Sequence, residues 1–284
     1  TLEDLRNIRL QIQPKDIPNP EMLPEYLGKK FAILTQTSGS SGIPKPRYFT
    51  RDDFERIGEQ LEILTKYPDE IKTTLTILPA TLSSSGEMIR NGLEELSKKY
   101  DIPIRYIWIQ PTVAQDPKVV ERLIRSYNPT FLITFVTSAI QLAHKLPKEV
   151  REIIRLLGVG GETLPDGIAD LLFELYPNLV AVLDAYGSTE DGMTCIKEIT
   201  KEYKGAFECK RSIIVGKKDD ELSPNECYLF ITSVTGDKEP GLFLINYDIG
   251  DVGETDGEKI LRIYRKGDAI SLSAAKLNLR EVAD

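Results

Sequence analysis

The chain has 284 residues, 41% hydrophobic and 28% charged, an ordinary soluble globular composition with material for one large domain or two smaller ones. Its net charge of −8, with no basic cluster, argues against nucleic acid as the main partner, because phosphate-backbone binding needs grouped Lys and Arg. No stretch is apolar for the ~18 residues of a transmembrane helix, the charged start TLEDLRNIRL has no signal core, and three cysteines make no disulfide framework, so a cytoplasmic protein with no membrane partner is expected.

Residues 1–30 are polar and Pro-rich and read as an N-terminal arm. FAILT follows, apolar enough for a buried strand, and then Gln36 to Lys45 reads QTSGSSGIPK. Thr50 and Asp53 have the spacing of a capping box, and Phe54, Ile57, Leu61 and Leu64 recur at helical intervals. The predicted order is strand, loop, helix. Small residues let the loop Thr37, Ser38, Gly39, Ser40, Ser41, Gly42 aim N–H groups and hydroxyls at an anion, and Lys45 adds a point charge suited to phosphate. The spacing is not that of a Walker loop, since Ile43 and Pro44 separate Gly42 from Lys45. Composition alone also allows a flexible linker; the flanking strand and helix favour the anion reading.

Thr73 to Leu78 alternates like a strand and ends at a second small-residue loop, from Thr81 to Gly86. Ser84 and Glu87 mark the start of a helix running to Tyr100. Ser84, Ser85 and Gly86 read either as turn and cap or as substrate contacts. Strands are then predicted at 104–109, 130–136, 156–160 and 179–184, with helices at 116–127 (Pro117 at its first position), 138–146, 148–157 and 165–176. This alternation predicts a parallel, helix-covered sheet with ligands at the carboxyl ends of its strands. The polar clusters TSGSSG, SSSGE, GGE and YGSTE all fall at such ends. From Cys195 helical periodicity stops, and short runs at 211–215, 227–232, 242–245 and 260–264 alternate with turns. The fold class read from the sequence is therefore α/β: a helix-covered, mostly parallel sheet over 31–194, followed by a small antiparallel, barrel-like β subdomain over 195–265.

TSGSSGIPK resembles the phosphate loop of the adenylate-forming superfamily, which includes acyl- and aryl-CoA synthetases, adenylation domains and luciferases; Ser41 stands where Thr is usual. Three further matches follow in order. Tyr186-Gly187-Ser188-Thr189-Glu190 matches Y-G-x-T-E, Tyr247 to Asp251 matches Y-x-T-G-D with Ile249 in place of Thr, and Arg265 to Asp268 resembles G-R-x-D-D with Tyr264 and Gly267 departing from it. Gly161-Glu162 is similar to the adenine loop of the phenylacetate-CoA-ligase-like branch. The resemblance implies that Thr37 to Lys45 hold the β- and γ-phosphates of ATP. It implies that Tyr186 and Gly187 meet adenine, Thr189 the α-phosphate, and Glu190 Mg²⁺. Asp251 would accept from both ribose hydroxyls, as the two oxygens of a carboxylate can, and Arg265 would contact the ribose. Thr189, Glu190 and Lys45 carry catalysis in this reading, and Ser84, Ser85, Gly86 and Thr137 border the acyl pocket.

The implied function is ATP-dependent adenylation of a small-molecule carboxylic acid to acyl-AMP and pyrophosphate, with coenzyme A as the second substrate. The resemblance covers about 31–280. Residues 266–284 read as a hinge remnant, without the family's lysine-bearing C-terminal domain. A second reading is a nucleotide- or adenylate-binding module with little activity of its own, acting with that domain or a carrier thiol in trans.

His144 is the only histidine, which excludes a His-rich metal site, and the absence of G-x-S-x-G speaks against an α/β hydrolase. Cys195, Cys209 and Cys227 contain no C-x-x-C pair; they read as buried free cysteines or, with a fourth ligand, as the structural zinc site of some relatives.

Overall fold

The computed structural model describes residues 33–36, 46–79, 84–188, 191–210, 212–217, 219, 222–233 and 244–265. A two-stranded hairpin, β1 (Ile33–Gln36) and β2 (Pro46–Phe49), precedes helix α1 (Arg51–Gln60). The predicted strand-loop-helix order is thus corrected. The strands on either side of residues 37–45 pair antiparallel with each other, and β1 lies outside the large parallel sheet. Four residues headed by a proline carry too little alternation to announce β2 in the sequence. The capping box stands as read: the Thr50 N–H donates to Asp53 Oδ2 at 2.8 Å, and the Asp53 N–H donates to Thr50 Oγ1 at 3.3 Å.

The large sheet contains β3 (Thr73–Ile77), β4 (Arg105–Ile109), β5 (Phe131–Thr134), β6 (Leu156–Gly160), β7 (Ala181–Ser188) and β8 (Gly192–Ile199). Their order is β4-β3-β5-β6-β7-β8, parallel throughout except for β8, which turns back antiparallel on β7. Helices α2 (Ser84–Tyr100), α3 (Pro111–Ala114), α4 (Pro117–Tyr127), α5 (Val136–Lys145), α6 (Lys148–Arg151) and α7 (Asp166–Leu175) lie between the strands in sequence. Alternate strand residues feed two cores, one on each face. Leu132, Leu157, Val159 and Val182 pack with Val120, Ile124, Ala139, Leu142 and Leu172 of α4, α5 and α7. Phe131, Ile133, Leu156, Ala181 and Leu183 pack on the opposite face with Phe54, Ile57, Met88, Leu93 and Leu96 of α1 and α2.

The second sheet is antiparallel, in the order β12-β11-β10-β9, from β9 (Ser212–Lys217), β10 (Glu226–Ser233), β11 (Tyr247–Thr255) and β12 (Ile260–Arg265). The fold is therefore a helix-covered, mostly parallel sheet followed by a small antiparallel one. The change of texture at Cys195 falls inside β8, however, and the second sheet begins only at Ser212. Helical periodicity ends with the last βαβ crossover, one strand before the sheet itself ends.

Candidate active site

The carboxyl ends of β6 and β7 open onto a cleft of about 340 Å³ that includes open solvent, bordered by Glu162, Asp184, Tyr186, Gly187, Phe207 and Ile263 among others. Two of the sequence motifs meet at its edge. The Tyr186 hydroxyl donates to Asp251 Oδ2 at 2.7 Å across 65 residues of sequence, joining the end of β7 to β11. Register places Arg265 of β12 directly opposite Asp251. The Phe207 ring stands edge-on to Tyr186, with centroids 6.3 Å apart and planes at 69°. Gly187 is required by close approach: a Cβ there would lie 2.1 Å from the Gly192 carbonyl oxygen, where the β7–β8 register shifts.

Glu162 and Thr137 are also brought together. The Glu162 carboxylate accepts from the Thr137 N–H at 2.8 Å and from its hydroxyl at 2.7 Å, near the N-terminus of α5, where an anion is favoured. Gly161 precedes it with φ +76°. Gly86 has a packing role in the first turn of α2, since a Cβ would lie 2.1 Å from the Pro79 carbonyl oxygen and 2.8 Å from the Trp108 ring. Ser85 is half-buried on the same turn, and of Ser84 the structure describes the backbone only. Thr37, Ser38, Gly39, Ser40, Ser41, Gly42, Lys45, Thr189 and Glu190 lie outside the described residues, and of Arg265 only the backbone is described.

Three features had escaped the sequence reading. Asp184 is 6% exposed, two residues before Tyr186 on the same strand face, and burial pushes its carboxyl up to about 7 despite Lys197 opposite it on β8. Burial in turn lowers Lys197, whose ammonium donates to the Leu261 carbonyl at 2.8 Å. An aspartate closing the apolar run LVAVLD was the available signal. Phe207 comes from an irregular segment with no motif to mark it.

The third feature is a buried network beside the Y-G-S-T-E turn. Asp191, fully buried, accepts at Oδ1 from Arg56 Nη1 at 2.7 Å and from the Ser233 hydroxyl at 2.6 Å, and at Oδ2 from the hydroxyls of Thr194 and Ser212, both at 2.8 Å. Arg56 also donates to the Asp191 carbonyl and to Asp53 Oδ1 at 3.3 Å. Burial opposes ionisation of both groups, but their mutual attraction outweighs it; Arg56 is raised and Asp191 held below the usual carboxylate range. The network fastens α1 to the turn and to both β9 and β10. With its oxygens committed to Arg56 and three hydroxyls, Asp191 is not arranged as a metal ligand. Among the described residues no group of three or more His, Cys, Asp and Glu could hold a metal, including the three cysteines read as a possible zinc site. His144 lies exposed on α5. No helix among the described residues is long and apolar enough to cross a membrane.

No family model matches the sequence, and no curated relative matches it. Solved structures do match. 2-Hydroxyisobutyryl-CoA ligase, in complex with 2-HIB-AMP and CoA, superimposes with a TM-score of 0.70 at 16% identity, over 93% of this chain and 58% of that one. ATP-bound MatB from Rhodopseudomonas palustris gives 0.61 at 17% identity, over 84% and 48%. The luciferase-like enzyme from the nonluminescent Zophobas morio mealworm gives 0.59 at 20%, over 83% and 58%. The chain therefore has the fold of the adenylate-forming enzymes. It spans between 48% and 58% of the length of these three proteins.

Proposed function

We propose that this chain binds ATP in the cleft at the ends of β6 and β7 and adenylates a carboxylic acid. The observation that carries the reading is the Tyr186–Asp251 hydrogen bond, which unites two separately recognised motifs at one cleft. Tyr186 presents its ring to adenine, and its hydroxyl orients the Asp251 carboxylate toward the vicinal ribose hydroxyls, for which a carboxylate is a matched acceptor. Arg265, opposite Asp251 in register, adds a cation on the ribose side. The small-residue loop 37–45 cradles the β- and γ-phosphates with Lys45, and Thr189 contacts the α-phosphate.

In the reaction a carboxylate oxygen attacks the α-phosphorus. The new C–O–P linkage forms as the bond from that phosphorus to the bridging oxygen breaks, and pyrophosphate leaves with the electron pair. Positioning and charge stabilisation supply the acceleration. Mg²⁺ would neutralise phosphate charge, and such an ion takes one or two carboxylates while keeping several waters. By the resemblance of the Y-G-S-T-E motif, Glu190 would be the carboxylate that holds it. The acyl-AMP would then pass to a thiol, with coenzyme A as the acceptor.

The test is exchange of labelled pyrophosphate into ATP in the presence of single carboxylic acids. Adenylation predicts exchange that requires both Mg²⁺ and one class of acid. ATP turnover indifferent to every acid would contradict it.

A further inference from the structure

Residues 204–208 run back along β8 as an irregular extra strand. Ile196 and Glu208 exchange both backbone hydrogen bonds, at 3.1 and 3.0 Å, Ile199 bridges Lys204, and the Gly205 N–H donates to the Glu198 carbonyl at 2.9 Å. In antiparallel pairing, the positions flanking such a doubly bonded pair are non-hydrogen-bonded pairs, with Cα atoms about 4.5 Å apart and side chains on one face. Lys197 and Phe207 flank it on one side, and they touch: the ammonium lies 5.9 Å from the ring centroid. Cys195 and Cys209 flank it on the other side. Cys195 belongs to the buried cluster that backs Tyr186, and Cys209 packs against it. Disulfides span Cα separations of about 4.4–6.8 Å, so this register needs little backbone movement to accept one. Cys195 is buried and Cys209 half-buried, so an oxidant meets Cys209 first. Cys227 sits on β10 instead, donating to the Gly253 carbonyl at 3.5 Å.

We propose that Cys195 and Cys209 form a reversible cross-strand disulfide that fixes the segment bearing Phe207 against β8. With hydrogen peroxide as oxidant, the Cys209 thiolate attacks a peroxide oxygen, giving a sulfenic acid and releasing water once the departing hydroxide is protonated. The Cys195 sulfur then attacks the Cys209 sulfur, loses its proton and displaces a second water. Two thiols give up two electrons and two protons, and one peroxide becomes two waters. The bond adds a covalent tie beside Tyr186, which pairs with Cys195 across β7 and β8. Phe207, already joined to β12 through its N–H and the Ile260 carbonyl at 2.9 Å, is then held from both ends of its segment.

The experiment is peroxide treatment of the reduced full chain, alkylation, and mass analysis of the intact protein and its peptides, with amide exchange measured alongside. The expected result is a loss of about 2 Da, a single linked peptide pair containing Cys195 and Cys209, and full reversal by dithiothreitol. The link forms equally in Cys227→Ser and not in Cys209→Ser. Exchange at Phe207 and Glu208 slows about tenfold relative to Cys209→Ser treated in the same way, as expected when local opening is restrained. Recovery of Cys209 as sulfinic or sulfonic acid beside an unlinked Cys195 would overturn the proposal. So would a link through Cys227, or unchanged exchange in the linked protein.

Discussion

Asp184 and Tyr186 occupy one face of β7, and each has a chemical property set by its neighbours. The folded protein holds the Asp184 proton to about pH 7, whereas an unfolded chain releases it near pH 4. The folded state therefore binds protons more tightly, and this contribution to stability is full below about pH 4 and lost as pH rises through about 7. Asp184→Asn is expected to flatten the fall in Tm across that window by the equivalent of a few kcal/mol, read from thermal melts at matched ionic strength; parallel curves for the two proteins would refute the assignment. Tyr186→Phe keeps the ring but removes the donor to Asp251. In the nucleotide reading, ATP affinity read by calorimetric titration should fall about fivefold, the ~1 kcal/mol scale of one hydrogen bond, and unchanged affinity would contradict the role of that bond. The pairing itself was not legible in the sequence. Each motif named its residue, but only the register of β11 and the end of β7 bring residues 65 positions apart into contact.

At the scale of elements, the legible features are those whose parts lie close in the chain. The Thr50–Asp53 box and Pro117 at the first position of its helix are each set within one turn, and both form as read. The β1–β2 hairpin and the Arg56 network escape because their partners are distant or short. Arg56 meets Asp191 and Ser212 at separations of 135 and 156 residues, beyond the reach of any local pattern. Arg56 and Asp191 are 4% and 0% exposed, so removing either partner strands a buried charge. Arg56→Met should cost about 3–5 kcal/mol in urea unfolding, and the double variant Arg56→Met, Asp191→Leu should recover part of that loss. Additive losses would show that the pair is not coupled. Gly187→Ala forces a Cβ against the Gly192 carbonyl and should cost about 1–3 kcal/mol, a strain absent from the same change at Gly167, which has nothing within 4 Å.

For the whole molecule, the alternation of strands and helices made the parallel sheet readable, and the rule that ligands gather at strand carboxyl ends located the cleft. What the alternation could not supply is the far wall. Phe207 and Ile263 come from the irregular segment after β8 and from the second sheet, and nothing in their local sequence directs them to β7. The proposed site draws on both sheets, β7 offering Tyr186 and β11 offering Asp251. That shared site is most directly tested by calorimetric titration of Mg·ATP into this chain and into Asp251→Ala. The account predicts saturable, one-to-one binding by the parent chain and its loss in Asp251→Ala, with the thermal melts of the two proteins closely similar in the absence of nucleotide. Equal affinity in both proteins would contradict the placement of the ribose at Asp251, and no binding by either would contradict the nucleotide site itself.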